Sequence, residues 1–398
     1  MWDRFSSAEL ERRERLARAL TVERDLDALV LFGNSGVNRH NHANVFWLTN
    51  HLDLHHAYLV LAADESAEPV VYIGLANHVP NAREISHVSV EWGGYDPAQA
   101  IADRLTAVGA VRGRVGLVGV NATFGMGMPY EHYQRLRRSL PELDPVDLTR
   151  EFARLRLVKS DEEVEWLRKA AELTDRAVYA LREGVRPGMS EDELVELAED
   201  AYRPHGGLPD ITFLRTMPMA APTGCVPAQN PSGRLVEEGD VVITEISASY
   251  WGYSGQIHRP LFVGAEPSEQ WRRLFDTALA AYERLAQTVR AGATEADAVR
   301  AAEPIREAGY EIYDDLLHGY GVDILPPLID RTRVAAGTAV SPASDRARFE
   351  RNMAVVLQPN PITPDERMGL QLGALTIVGD DGATSLHAVP FEPIIVGV

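Results

Sequence analysis

Apolar positions recur along this chain with two periods, and the changes of period mark its elements. Ser7–Arg24 sets apolar residues at helical spacing among many charges, which predicts an amphipathic helix. Ala28–Phe32 is a short apolar run and reads as a strand; Ala57–Ala63 and Pro69–Gly74 predict two more, joined by a turn at Asp64–Pro69. Ala98–Val108 reads as a helix and Val115–Val120 as a strand. Together these predict an α/β domain over residues 1–155. A new helix then starts sharply. Ser160 is a good N-cap, Glu163 follows three residues later as a capping box, and Asp161 and Glu162 suit the positive end of the helix dipole. Val164, Leu167, Ala171, Thr174, Val178 and Leu181 continue at helical spacing, and Gly188 with Ser190 opens a second helix to about Tyr202.

The rest of the chain, within 156–398, alternates differently. Phe213–Gly224, Val241–Ser249, His258–Gly264, Met353–Gln358 and Leu372–Val378 predict strands, while Gln270–Ala291 and Glu295–Ala308 predict helices. Helix pairs followed by strands predict a helical layer over a curved, largely antiparallel sheet, so the whole chain is expected to be α+β. No element is predicted for His205–Asp210 or Leu325–Val334.

Composition narrows the function classes. The 398 residues carry 58 acidic and 39 basic side chains, a net charge of −19, which argues against nonspecific nucleic-acid binding. One cysteine excludes an intramolecular disulfide framework. No run of apolar residues is long enough for a transmembrane helix, and the charged first 20 positions contain no apolar leader, so no membrane partner and a cytoplasmic location are expected.

Five blocks carry a resemblance to a known superfamily. They are Leu157-Val-Lys159-Ser160-x-x-Glu163, Gly239–Arg259, His318-Gly-Tyr-Gly-Val-Asp323, Met353–Pro359 and Gly369–Gly382. Their order resembles that of the creatinase, prolidase and aminopeptidase P superfamily. The resemblance implies a creatinase-type N-terminal domain, a pita-bread catalytic domain, and a homodimer. In metal-dependent members two divalent ions are held by two Asp, one His and two Glu. The matching positions here are Glu245, Gln256, His318, Gln358 and about Gly373. One carboxylate and one imidazole are a poor donor set for two such ions, so neither a metal site nor a cofactor is expected. Creatinase, which this chain resembles in lacking that set, places a catalytic His before an Asn-Pro; here Gln229 precedes Asn230-Pro231.

The pocket is therefore expected to be nearly neutral and polar. Gln256 and His258 are two apart in a strand and share a face. Glu245, flanked by Ile243 and Ile246, is expected to be buried and to need a partner, with a histidine as the expected one. His258, Glu245 and His318 are the candidate acid–base residues. Gln256, Gln358, Gln229, Tyr320 and Cys225 are candidate substrate contacts, Cys225 also a nucleophile if a base adjoins it. Five histidines, His40, His42, His51, His55 and His56, crowd a short N-terminal stretch. On the resemblance, His55 or His56 reaches a partner subunit's pocket. The expected function is a metal-independent enzyme acting on a small polar or amide-containing metabolite, by C–N hydrolysis or a lyase or cyclase step in specialised metabolism. The alternatives are an inactive binding or scaffold protein, and an atypical Xaa-Pro-type metallopeptidase with one ion on Glu245 and His318.

Overall fold

A computed structural model describes residues 3–34, 42–121, 127–335 and 348–397. The chain forms two compact units, 1–156 with 322–324, and 157–321 with 325–398.

The first unit is built on a six-stranded mixed sheet. Its strands run in the spatial order Ser89–Trp92, Val70–Ile73, His56–Ala62, Ala28–Asn34, Arg114–Val118 and Asp144–Asp147. The central strand shows why both faces are covered. Leu29 and Leu31 enter one core with Trp47, Leu59 and Phe152, while Ala28, Val30 and Phe32 enter another with Tyr58, Ile101 and Leu117. Alternation by two sends successive side chains to opposite faces, so a continuous apolar run marks a strand buried on both sides.

The second unit opens with the helix Asp161–Gly184. Its capping box is formed: Glu163 N–H donates to Ser160 Oγ at 3.2 Å, and Ser160 N–H donates to Glu163 Oε2 at 3.0 Å. The other oxygen of Glu163 accepts from Tyr253 O–H at 2.7 Å, which ties the helix start to the sheet. Ser160→Ala is expected to lower stability by about 1 kcal/mol, measured as a shift of the urea midpoint at unchanged slope. A second box, Ser190 with Glu193, starts Glu191–Asp200.

These helices cover one face of a ten-stranded sheet. Along it lie Leu325–Asp330, Asp315–Gly319, Ala354–Leu357, Gly373–Val378, Tyr253–His258, Asp240–Tyr250, Leu261–Val263 and Ile394–Val396. Leu208–Pro218 pairs on Asp240–Tyr250, and Ala383–Ser385 on Gly373–Val378. Every pairing is antiparallel except Leu261–Val263 with Ile394–Val396. The first long helix lies directly on Gly255, where a Cβ would stand 2.6 Å from Ala171 N. Thr174 fixes the contact: its hydroxyl donates to Gly255 O at 2.6 Å and accepts from Ala248 N–H at 2.9 Å. Because Gly255 faces the helix, its neighbour Gln256 faces the other side. The unit has the α+β, helix-on-curved-sheet architecture expected from the pattern.

Candidate active site

The curvature of the sheet builds the site. The strands carrying His318 and Gln256 are three steps apart in the sheet. They meet because the sheet folds back on itself, Ser254 N–H donating to Gly321 O at 3.0 Å. Gln256 Oε1 then lies 3.0 Å from His318 Nε2, and Gln256 Nε2 donates to Glu245 Oε1 at 2.6 Å. On the far side of the imidazole, His318 Nδ1 faces both carboxylate oxygens of Asp315 at 3.1 and 3.2 Å. Asp315 also accepts from Gln358 Nε2 at 3.0 Å. Side chains of Asp315, His318, Gln256 and Glu245 thus form one hydrogen-bonded line.

The charges follow from this geometry. Burial opposes charge on His318, but Asp315 against Nδ1, with Glu245 and Asp314 nearby, raises its pKa above the ordinary histidine value. Burial also pushes Glu245 up to about 7, opposed by His318 and reinforced by Asp314 and Asp315. Glu245 retains some access to solvent, whereas Gln256, Asp315, His318 and Gln358 are buried. It is therefore the least buried residue of this line.

The sequence-predicted residues divide. Glu245, Gln256, His318 and Gln358 come together. Tyr320 joins them, its ring edge-on to His318 at 5.6 Å and its hydroxyl donating to Asp210 Oδ2 at 2.9 Å, with Ser247 Oγ at 3.0 Å. The expected His–Glu pair is not formed, because Glu245 takes the Gln256 amide as partner. His258 is fully buried, neither ring nitrogen has a hydrogen-bond partner, and burial with His318, Arg259 and His387 nearby pushes its pKa well below the ordinary value. It stands as a neutral ring against Gly373. Cys225 is buried and burial raises its thiol, so it is no ready thiolate nucleophile. Gln229 is exposed. His55 and His56 belong to the first unit, where His55 stacks on His78 at 6.0 Å and His56 meets His132 at 5.4 Å. His42 and His51 are buried there, and His40 lies outside the described residues.

Two residues were missed. Asp314 and Asp315 sit four and three positions before His318, and Asp315 organises two of the predicted residues. The adjacent acidic pair was the available signal. It also corrects the expectation of a nearly neutral pocket with one carboxylate.

The five positions that match a dinuclear centre do not fit one. Both His318 nitrogens face acceptors, Gln256 and Gln358 spend their amides on neighbours, and a Cβ at Gly373 would stand 2.5 Å from Leu357 O and 2.8 Å from His258 Nδ1. Among the described residues no three His, Cys, Asp or Glu side chains converge as a metal-holding group.

A creatinase-type domain followed by a pita-bread domain with its site on the open face of the sheet defines the class of this protein. Residues 12–158 match the profile of the creatinase/prolidase N-terminal domain, and residues 165–380 that of metallopeptidase family M24. The chain belongs to family M24. A Xaa-Pro dipeptidase of Pyrococcus furiosus is 27% identical over 237 residues, 58% of this chain and 63% of that protein. One of Lactobacillus delbrueckii subsp. lactis is 30% identical over 203 residues, 50% and 54%. The chain thus spans less than two thirds of the length of these relatives. Among solved structures, a dipeptidase of Mycobacterium ulcerans has a TM-score of 0.78 at 22% identity and full coverage of both chains. The prolidase of Thermococcus sibiricus has 0.79 at 20%, covering 99% of this chain and 100% of that one.

These relatives correct the functional expectation. A metal-independent enzyme acting on a small metabolite, by lyase or cyclase steps among others, has no counterpart among proteins named as Xaa-Pro dipeptidases. The likeness favours the peptidase alternative. None of the described helices is long and apolar enough to cross a membrane.

Proposed function

We propose that this protein hydrolyses small peptides of the Xaa-Pro dipeptide class, working as a homodimer. What carries the reading is the family match across both domains, joined to relatives named for that activity. The site supports a peptide as substrate. Glu245 is held near neutrality, so its carboxylate can take a proton from the attacking water and its acid form can return one to the leaving amine. Gln256 fixes the position of that carboxylate, and Tyr320 with Ser247 and Asp210 supplies further polar groups close by. No step is assigned to a metal ion, because the donor set does not fit the family's pair.

The test is a panel of Xaa-Pro dipeptides, matched dipeptides lacking proline, and N-blocked versions. It is run with Mn(II), Co(II) or Zn(II) added and with chelator, following amine release. Turnover of the free Xaa-Pro dipeptides is expected, with kcat/KM rising through about pH 7 as Glu245 ionises. Folded protein that cleaves no dipeptide under any of these conditions sinks the reading and favours a binding role.

A further inference from the structure

We propose that Asp210, with Ser249 beside it, binds the free α-ammonium group of a peptide substrate, so that the site takes unblocked N-termini and cuts at the first peptide bond. The strand Leu208–Pro218 pairs residue by residue with Asp240–Tyr250 except at one place. Pro209 lies opposite Ala248 and Ile211 opposite Ser247, which leaves Asp210 as the extra residue of a β-bulge. A bulged residue leaves the alternation of its strand, and its side chain is re-aimed. Here it is aimed at the site. Asp210 Oδ2 accepts from Tyr320 O–H at 2.9 Å, and Ser247 Oγ lies 3.0 Å from the same hydroxyl. Ile246 and Ala248 enter the core under the helices, so Glu245, Ser247 and Ser249 project from the opposite face. Ser249 is buried, and its hydroxyl has no hydrogen-bond partner among the described residues.

A peptide ammonium fits this corner. It brings one positive charge and three N–H donors. The half-buried Asp210 supplies the opposite charge, and the Ser247 and Ser249 hydroxyls supply oxygens that can accept. The spacing then selects the bond. Glu245 stands two residues before Ser247 on the same face, about 7 Å along the strand. In a peptide the amine nitrogen and the first carbonyl carbon are two bonds apart, about 2.5 Å. The ammonium contact, those two bonds and one attacking water span the gap from Asp210 to Glu245. The next carbonyl lies about 3.5 Å further along the chain and overshoots it. The choice of bond rests on the peptidase proposal, while the binding of an ammonium group does not.

The experiment is titration calorimetry of the full chain, with and without Mn(II), using two uncleavable probes. One is the ketomethylene isostere of alanyl-proline, and the other is the same isostere lacking its amino group. The parent is expected to bind the amine probe about tenfold tighter or more. Asp210→Asn keeps an acceptor for Tyr320 O–H and removes the charge. It is expected to abolish most of that preference by weakening the amine probe alone. Ser249→Ala, which deletes only the unpartnered hydroxyl, is expected to weaken the amine probe about threefold and leave the other unchanged. A parent that binds both probes alike overturns the proposal. So does a preference unchanged in either variant, or an equal loss for both probes, which is the mark of a merely structural role. Cleavage of alanyl-proline is followed in parallel. Cleavage by the parent with the preference unchanged in Asp210→Asn sinks this proposal and leaves the peptidase reading standing. The expected preferences without any cleavage uphold it and count against hydrolysis alone. Folded parent that neither binds a probe nor cleaves alanyl-proline sinks both.

Discussion

Glu245→Gln is expected to stabilise the protein at pH 8 while reducing turnover by a factor of about 100 or more. The loss of activity follows from removing the carboxylate that moves the proton. The gain in stability follows from linkage. Burial raises the Glu245 pKa from 4.5 to about 7. Between those values the folded protein binds more protons than the unfolded chain, so stability falls as pH rises through that window and stays reduced above it. A shift of this size corresponds to roughly 3 kcal/mol. The hydrogen bond from Gln256 and the nearby His318 offset part of this, which leaves a net figure of about 1–3 kcal/mol. Glutamine keeps an oxygen for the Gln256 NH2 and removes the charge. The urea midpoint should therefore rise relative to the parent at pH 8 and coincide with it at pH 4.5. His318 works in the opposite sense: its raised pKa adds stability that is complete below 6.5 and disappears as pH climbs through the folded value. That term is common to parent and variant and largely cancels in the comparison. A variant that is less stable than the parent at pH 8 would show that Glu245 is not the strained group described here.

Much of this site is legible in the sequence, and the reasons for what is not are specific. Glu245, Gln256, His318 and Gln358 stand out because each falls in a short block of ordered motifs, and a strand's period of two predicts which of them share a face. Asp315 does not stand out, because its role depends on a contact within a turn of strand. It reaches back to His318 three residues on, which regular strand geometry does not bring together, and a register shift between Asp315 and Leu317 makes it possible. The partner of Glu245 was misassigned for a related reason. Burial predicts that a partner exists, but which neighbour supplies it depends on sheet curvature that no local period encodes. Elements show the same divide. The capping box at Ser160 forms as read, and Ser190 opens its helix as read, with a capping box to Glu193 that the reading did not include. The predicted strand His258–Gly264 is instead two strands, Tyr253–His258 and Leu261–Val263, because Pro260 between them has no N–H to give to a ladder. Leu325–Asp330 is a strand despite Pro326 and Pro327, at the end of the sheet order, where proline is tolerated.

Gly373→Glu, which restores in composition the last carboxylate of the family's ion pair, is expected to cost more than about 3 kcal/mol or to prevent folding altogether. The reason is space. Gly373 pairs with His258 in the sheet, and a Cβ there would meet the Leu357 carbonyl oxygen at 2.5 Å and His258 Nδ1 at 2.8 Å. The second contact is with a side chain and could be relieved, but the first is with backbone held in a strand pairing, Leu357 with Ala374. Gly373→Ala isolates the effect, since it adds only the Cβ, and should still lose about 1–3 kcal/mol. Combining it with His258→Ala should recover part of that loss and not all, because the carbonyl stays where it is. Denaturant midpoints for the three variants decide the matter. If Gly373→Ala is as stable as the parent, the strand can shift to admit a side chain, and the steric barrier to a dinuclear centre falls with it. If the loss is as large as expected, reinstating a metal pair requires the strand carrying Leu357 to move as well as new ligands at Gln256 and Gln358. The neutral His258 ring then has a physical explanation as the side chain that fills the space beside Gly373.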